Sequence, residues 1–307
     1  MATSLPAYDL IPLPGEGPED VVVGSDGSIY TGLLDGRILG VAPTDGAVRE
    51  VARTGGRPLG LEATTDGRLL ICDSPKGLLE LDLKTGALTT LVTHDGAEPL
   101  IFCSNVVAAP DGDLFFTISS MRYSFHDWRK DFVENVPTGR VYRRAADGTL
   151  TRLMGGLPFA NGLVRTRDGK SLIVAETAGR RLLRLWLAGD RVGTSEVLAE
   201  LPGFPDNLCA DEDGMICVAF ASEQNPMLES LYSRGLRRKR RLRARFQMDG
   251  RRVCNGDWRL PSRPASVVRR TARTRVDALR LAGLRVPMGA EGSGVRPPTS
   301  NPAFRVA

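Results

Sequence analysis

Short apolar runs alternate with polar turns through the first 230 residues of this 307-residue chain. An Asp-Gly pair marks the turns and recurs at spacings of 40, 45, 57 and 45 residues. The five pairs of this series are Asp26-Gly27, Asp66-Gly67, Asp111-Gly112, Asp168-Gly169 and Asp213-Gly214. Aliphatic, β-branched or aromatic runs stand on both sides of each pair, such as VVV before the first and SIYTG after it. Asp-Gly between two such runs predicts a β-hairpin in which both turn residues adopt positive φ.

Further strand-like segments follow the hairpins, among them RILGVAP, GLLELDL, GRVYRR and RLLRLWL. Each repeat therefore contains about four short antiparallel strands, which is the size of a propeller blade. A unit of this kind repeated along the chain predicts an all-β fold, a β-propeller. A pair of β-sandwiches is the alternative interpretation of the same strands.

Hydrophobic residues make up 42% of the chain and charged residues 25%, as in an average soluble globular protein. No apolar run is long enough for a transmembrane helix. The segment from Met1 to Gly15 has no basic n-region and no long apolar h-region, so we expect no signal peptide. The cysteines are scattered and form no Cys-x-x-Cys pair, so we expect reduced core thiols in a cytoplasmic protein. They are Cys72, Cys103, Cys209, Cys217 and Cys254.

The net charge of +5 conceals two unlike parts. Residues 1–230 hold 21 Lys and Arg against 32 Asp and Glu, whereas residues 231–307 hold 20 against 4. We expect a propeller body of about five blades over 1–230, and an Arg-rich segment over 231–307 with an incomplete final blade and a disordered tail. The strand pattern is lost after about residue 245, which suggests an altered reading frame or a divergent end.

The basic run from Arg237 to Arg245 has three interpretations. A basic helix between blades, over roughly residues 231–245, is favoured, because the family resemblance described below implies an amphipathic basic segment near here. Contact with an anionic membrane surface is the second. Binding to nucleic acid is the third, and it is not expected, because the body is acidic and carries no nucleic-acid-binding motif.

Polar side chains recur in register with the turns. The positions seven residues before each turn Asp hold Glu19, Leu59, Ser104, Asn161 and Asp206, followed by Asp20, Gly60, Asn105, Gly162 and Asn207. Equivalent positions of a radial repeat form a ring around one mouth of the central channel. Oxygen ligands without His or Cys suit a hard cation, and calcium tolerates irregular geometry better than magnesium. The alternative is that each Asx side chain caps its own turn.

Six segments between about residues 14 and 232 carry further motifs. They are GPEDVVV (17–23), GRPLGL (56–61), SPKGLLELD (74–82), LPFANGL (157–163), IVAET (173–177) and LPGFPDNL (201–208). Together they resemble the strictosidine synthase-like and SMP-30/gluconolactonase (regucalcin-like) group, related to the paraoxonases. The resemblance implies a six-bladed propeller, whose last blade is aberrant or incomplete here.

The resemblance also implies a catalytic divalent metal, usually calcium, held by Glu19, Asn161 and Asp206. The paraoxonase pattern adds the position of Asn207. Three positions depart from the family pattern: Ser104-Asn105 replaces Asn-Asp, Leu59 replaces a catalytic His, and Ile118 replaces a common Asp. The departures favour either weak metal binding or loss of catalysis.

The predicted function is calcium-dependent hydrolysis of a small-molecule lactone or ester, as in gluconolactonases and arylesterases. Glu19, Asn161 and Asp206 would ligate the ion, and Ser104, Asn105 and Asn207 would complete or orient its shell. Of the two histidines, His126 is a weak candidate for the general base, whereas His94 lies in a turn. The alternative is a catalytically inactive propeller that binds a small ligand or a protein.

Overall fold

The computed structural model describes residues 9–210, 214–224, 266–269 and 283–287. After β1 (Asp9–Pro12), four antiparallel sheets of four strands follow one another along the chain. The first two contain β2 (Val21–Val23), β3 (Ile29–Gly32), β4 (Arg37–Val41) and β5 (Val48–Arg53), then β6 (Pro58–Ala63), β7 (Arg68–Asp73), β8 (Gly77–Asp82) and β9 (Leu88–Val92).

A small hairpin, β10 (His94–Asp95) and β11 (Glu98–Pro99), separates the second sheet from the third. The third and fourth sheets contain β12 (Cys103–Ala108), β13 (Leu114–Ile118), β14 (Gly139–Arg144) and β15 (Leu150–Leu157), then β16 (Ala160–Arg165), β17 (Ser171–Glu176), β18 (Arg181–Trp186) and β19 (Ser195–Glu200). The connection from β13 to β14 holds a short 3-10 helix (Phe125–Asp127) and helix α1 (Trp128–Glu134).

A fifth sheet has three described strands, β20 (Gly203–Ala210), β21 (Met215–Glu223) and β23 (Gly283–Pro287). Strand β22 (Ser266–Arg269) pairs with β1. The segment 231–307 therefore supplies two strands to the described sheets. The Arg237 to Arg245 run and the tail after residue 287 lie outside the described residues, and the boundary at residue 230 stays a prediction.

The first strands of neighbouring sheets contact one another in turn, β2 with β6, β6 with β12, β12 with β16 and β16 with β20. Successive sheets arranged around their first strands are the blades of a propeller. The propeller prediction is confirmed, and the arrangement excludes the sandwich alternative.

The apolar cores lie between the blades. Leu70 and Leu78 of the second blade pack with Val106, Phe116 and Tyr142 of the third, and equivalent clusters join the other consecutive blades. Fully burying a side chain of this size contributes about 1.5–3 kcal/mol relative to exposure. The described cysteines are buried and form no disulfide, as expected: Cys72 and Cys103 lie in the core between the second and third blades, and Cys209 and Cys217 pack together in the fifth. Cys254 lies outside the described residues.

The Asp-Gly hairpins form as predicted, but the expected turn geometry is wrong. Gly27 has φ +78°, whereas Asp26 is not among the described residues with positive φ. The Gly24 N–H donates to the Ser28 carbonyl, and the Gly27 N–H to the Gly24 carbonyl. This is a three-residue loop with a left-handed Gly at its end. The Asp26 carboxylate instead accepts the Ser28 N–H at 3.0 Å, and Asp213 lies outside the described residues.

Candidate functional site

The ring positions lie in β-bulges at the start of the innermost strands. Pro58 pairs with Asp73 and Leu61 with Ile71, so two residues, Leu59 and Gly60, face one residue of β7. Equivalent bulges contain Ser104-Asn105, Asn161-Gly162 and Asp206-Asn207. A bulge interrupts the hydrogen-bonded ladder and redirects side chains, which places these pairs at the channel mouth. In the first blade, Glu19-Asp20 immediately precedes β2.

Glycine in two of the bulges allows neighbouring strands to approach closely. A Cβ atom on Gly60 would lie 2.6 Å from the Ser104 carbonyl oxygen, and one on Gly162 would lie 2.5 Å from the Asp206 carbonyl oxygen. Both distances are well inside van der Waals contact, so any larger residue would separate the strands. The glycines therefore set the spacing of the ring.

One group of ring side chains spans the third, fourth and fifth blades. Ser104 Oγ donates to Asn161 Oδ1 at 3.0 Å, and Asn161 Nδ2 lies 2.5 Å from Asp206 Oδ1. The Thr117 hydroxyl donates to the Asn161 carbonyl at 2.7 Å and holds its backbone. Asn161 Oδ1 keeps a second lone pair beyond the bond from Ser104.

A second group closes the ring between the third, fifth and first blades. Asn105 Nδ2 donates to Asn207 Oδ1 at 3.0 Å, and Asn207 Nδ2 donates to Glu19 Oε1 at 3.3 Å. Glu19 and Asn207 are 188 positions apart in the chain. The structure thus brings all six predicted ring residues together.

Asp20 has a different role from its neighbour Glu19. Its carboxylate accepts the Val21 N–H at 2.8 Å and the Leu61 N–H at 2.9 Å, and the Thr31 hydroxyl donates to its carbonyl at 2.7 Å. These contacts tie the first blade to the second. Asp20 therefore positions the ring, while Glu19 contributes an oxygen to it.

The ring concentrates negative charge away from bulk water. Burial raises the pKa of Glu19 well above its usual value, and the nearby Asp206 and Asp20 raise it further, against the attraction of Arg57. Burial also raises the pKa of Asp206 to about 6. Both carboxylates are poorly stabilised as anions. A cation bound between them would stabilise their charged forms.

Two acceptor oxygens of the ring are also buried without a hydrogen-bond partner, Glu19 Oε2 and Asn105 Oδ1. Such orphaned oxygens normally find a donor or an ion. The donor set of two carboxylates, three amides and a hydroxyl fits a hard cation, and calcium above all. Among the described residues no three Asp, Glu, His or Cys side chains gather as a metal cluster, so amides make up the rest of this set.

An aromatic cap covers the ring. It consists of the buried residues Leu59, Phe102, Phe132, Phe159, Ala178 and Phe204, flanked by Phe125 and Trp128. Phe132 comes from α1, and its ring centroid lies 4.8 Å from that of Phe159 and 5.9 Å from that of Phe204. The polar and aromatic insertion 119–139 was predicted to form a loop or short helix over the channel mouth, and it supplies α1. The phenyl groups from the blades were not predicted, although Phe102, Phe159 and Phe204 each stand two residues before a ring position.

Phe159 adopts φ +64°, a conformation that a bulky residue rarely takes. The same residue contacts the rings of Phe102 and Phe132. Strain of this kind persists only where the surroundings impose it, and it is concentrated at functional sites. The backbone conformation of the LPFANG segment is therefore imposed by the aromatic contacts at the channel mouth as well as by the strand pairing of its blade.

The other candidate residues are not among the six polar residues of the ring. His126 is exposed on the 3-10 helix, with its ring 6.0 Å from that of Phe125, and its role as a base stays a prediction. Leu59 is buried in the cap, and Ile118 pairs with Cys103 in the third blade. His94 belongs to the β10 hairpin, as its predicted turn position suggested.

Residues 15–226 match the SMP-30/Gluconolactonase/LRE-like region. Strictosidine synthase-like 13 of Arabidopsis thaliana is 33% identical over 256 residues, covering 71% of this chain and 64% of the relative. The adipocyte plasma membrane-associated protein of Salmo salar is 34% identical over 225 residues, covering 67% and 54%. The chain thus spans about three fifths of the length of the curated relatives it matches.

Solved structures share the fold at low identity. A gluconolactonase from Xanthomonas campestris superposes with a TM-score of 0.58 at 22% identity, covering 71% of this chain and 75% of the other. The calcium-binding protein regucalcin from Agrobacterium tumefaciens gives 0.56 at 20% identity, covering 70% and 71%. None of the helices in the described residues has the length and apolar character to cross a membrane.

Proposed function

Because the chain belongs to the SMP-30/gluconolactonase/LRE-like family, we propose that it is a calcium-dependent hydrolase of lactones or small esters. The observation that carries the proposal is the ring itself, in which Glu19 and Asp206 carry raised pKa values beside orphaned acceptor oxygens. The gluconolactonase and regucalcin neighbours share the propeller, and their names suggest the reaction and the ion.

Glu19, Asn161, Asp206 and Asn207 would hold the ion. Ser104 and Asn105 support them, because Ser104 donates to Asn161 and Asn105 donates to Asn207. A bound calcium ion would polarise the carbonyl of the ester or lactone. The aromatic cap would exclude bulk water from the ring, and water exclusion strengthens electrostatic interactions inside a site.

Calorimetric titration of the purified full chain with calcium tests the site. We expect one calcium ion per chain to bind, and Asp206→Asn to abolish the binding, since it removes one of the two ring carboxylates. Asp168→Asn is the matched control: Asp168 accepts the Lys170 N–H at 3.0 Å in a hairpin turn outside the ring. Equal calcium affinity in wild type and Asp206→Asn would contradict the proposal.

Turnover tests the reaction. We expect hydrolysis of a simple lactone and of phenyl acetate that disappears with a calcium chelator and returns with calcium, and a loss of about 100-fold or more in Asp206→Asn. The second candidate function is a non-catalytic binding module, favoured by Leu59, which fills the cap where a related enzyme places a His. Calcium binding without any turnover would establish that second function instead.

A further inference from the structure

A second layer of side chains lies immediately outside the ring. The residues two positions before the ring are Gly17, Arg57, Phe102, Phe159 and Phe204. The three phenylalanines are buried in one cluster with the ring residue Leu59. The side of the ring that a substrate must cross is therefore lined mainly by phenyl groups.

Helix α1 completes this layer from above. Phe132 contacts Phe159 and Phe204, and Phe102 packs edge-on against Phe159 at 5.3 Å between ring centroids. The helix belongs to the connection between β13 and β14 and to no blade. The phenyl surface above the ring thus has two sources, the blades and one short insertion.

Polar groups are scarce among the described residues of this layer. Arg57 is the one cation of the five positions, and the exposed fraction of Arg57 is only 8%. Its Nη1 donates to the Gly17 carbonyl at 2.7 Å, and its guanidinium lies 5.2 Å above the Phe125 ring. A polyhydroxylated lactone would bury several hydroxyls against phenyl groups with few partners, and unpaired polar groups lower affinity strongly.

We propose that the substrate of this site is an alkyl- or aryl-substituted lactone rather than a sugar lactone, with Phe132 and Phe159 as specificity-determining residues. The inference rests on the proposed function for the reaction and on the aromatic cap for the substrate class. The apolar substituent packs against the phenyl groups of the cap. The lactone carbonyl then lies toward the oxygen ring.

The first test compares kcat/KM for δ-nonalactone and glucono-δ-lactone with calcium-loaded full-length protein. We expect a preference of about 10-fold or more for the alkyl lactone, the discrimination that a hydrophobic pocket provides. Phe132→Asn should reduce this preference about 10-fold, mainly through KM, and Phe132→Leu should restore most of it. Val192→Asn, at a position that is 61% exposed, is the control and should leave the preference unchanged.

A second test removes the dependence on turnover. δ-Lactams are non-hydrolysable analogues of the same rings, and Trp128 beside the cap gives a fluorescence signal, with Trp128→Phe as the control for the other tryptophans. We expect the alkyl δ-lactam to bind at least about 10-fold more tightly than the gluconolactam. Lactam binding without lactone turnover would refute the proposed reaction and support the substrate class.

Other outcomes overturn the inference. Tighter binding of gluconolactam, or an alkyl preference that Phe132→Asn leaves intact, would show that the cap does not select the substrate, while the hydrolase proposal would stand. Absence of both lactam binding and lactone turnover would overturn both proposals.

Discussion

The interiors of the blades and the mouth of the channel differ in the side chains that they bury and in the regularity of their strand pairing. Between the blades, aliphatic and aromatic side chains such as Leu70 and Phe116 are fully buried, and the two middle strands of each four-stranded blade pair in regular register. At the mouth the ladders are interrupted by bulges, and polar residues such as Asn105 and Asn161 are buried instead. The same strands therefore contribute to an apolar core between the blades and to a polar ring at the mouth.

In most of a fold, local sequence preferences, packing and polar pairing all agree with the structure, and exceptions are concentrated at functional sites. The ring and the cap above it hold several such exceptions: two carboxylates with raised pKa values, two orphaned acceptor oxygens and the strained Phe159. Others lie elsewhere, such as Asp131, whose pKa is also raised, and Glu176, whose Oε1 is buried without a hydrogen-bond partner. Substitutions in the two regions should consequently differ in how much they change the free energy of unfolding and in whether that change depends on pH.

The largest effect is expected in a blade interior. Phe116 is fully buried and stacks on Tyr142 at 5.3 Å between ring centroids. Phe116→Ala should lower the free energy of unfolding by about 3–5 kcal/mol, because it removes apolar contacts and leaves a cavity. Urea denaturation measures the change, with the exposed Val192→Ala as the control. A loss below about 1 kcal/mol would mean that the blade core repacks freely.

The second largest effect concerns Asp131 on α1, at the mouth of the channel, which should make the stability of the protein depend on pH. Asp131 on α1 is buried, accepts a hydrogen bond from Ser120 Oγ, and has a pKa raised by burial from 3.8 to about 6. A raised folded-state pKa means that the folded protein holds the proton more tightly than the unfolded chain. The resulting stability is complete below about pH 4 and is lost as pH rises through about 6.

We therefore expect the unfolding free energy of wild type, relative to Asp131→Asn, to fall by about 2 kcal/mol between pH 4 and pH 7. Denaturation at a series of pH values measures the difference, and subtracting the variant removes the contributions of the ring carboxylates. Asp45→Asn, at an exposed turn, is the control. Parallel pH profiles for wild type and Asp131→Asn would contradict the expected burial of the charge.

A glycine substitution probes the spacing of the ring. Gly162→Ala should lower the unfolding free energy by about 1–3 kcal/mol, because its Cβ would meet the backbone of β20, which has little room to move. Gly155→Ala is the matched control, since a Cβ there would meet nothing nearer than 3.9 Å. Thermal and urea denaturation of both variants check the difference. Equal effects would show that the inner strands tolerate wider spacing.

The smallest effect is expected at the periphery of a blade. Glu50 and Arg53 form an exposed ion pair at 2.7 Å on β5. Glu50→Gln should change the unfolding free energy by no more than about 0.5 kcal/mol, since solvent screens such pairs. Urea denaturation at low and high salt measures this change in unfolding free energy. A larger, salt-dependent loss of unfolding free energy would mean that surface ion pairs contribute to blade stability as the buried cores do.

Much of this architecture follows from patterns that extend over only a few residues. The alternation of apolar runs and Asp-Gly turns predicted the blades, because strand periodicity and turn chemistry act over such short distances. The constant seven-residue offset predicted that Glu19, Ser104, Asn161 and Asp206 share a ring. The turn geometry was wrong, because Asp-Gly also suits a three-residue loop in which only Gly takes positive φ.

The amino-acid pattern alone thus accounts for the repeat, the strand order within a blade and the register of the polar positions, since each of these depends on neighbouring residues. The bulges, the pairing of Glu19 with Asn207 and the meeting of Phe132 with Phe159 and Phe204 arise only in the folded chain. The last two join residues far apart in the chain. They exist because neighbouring blades pack side by side around the channel, and no short window of sequence encodes that arrangement.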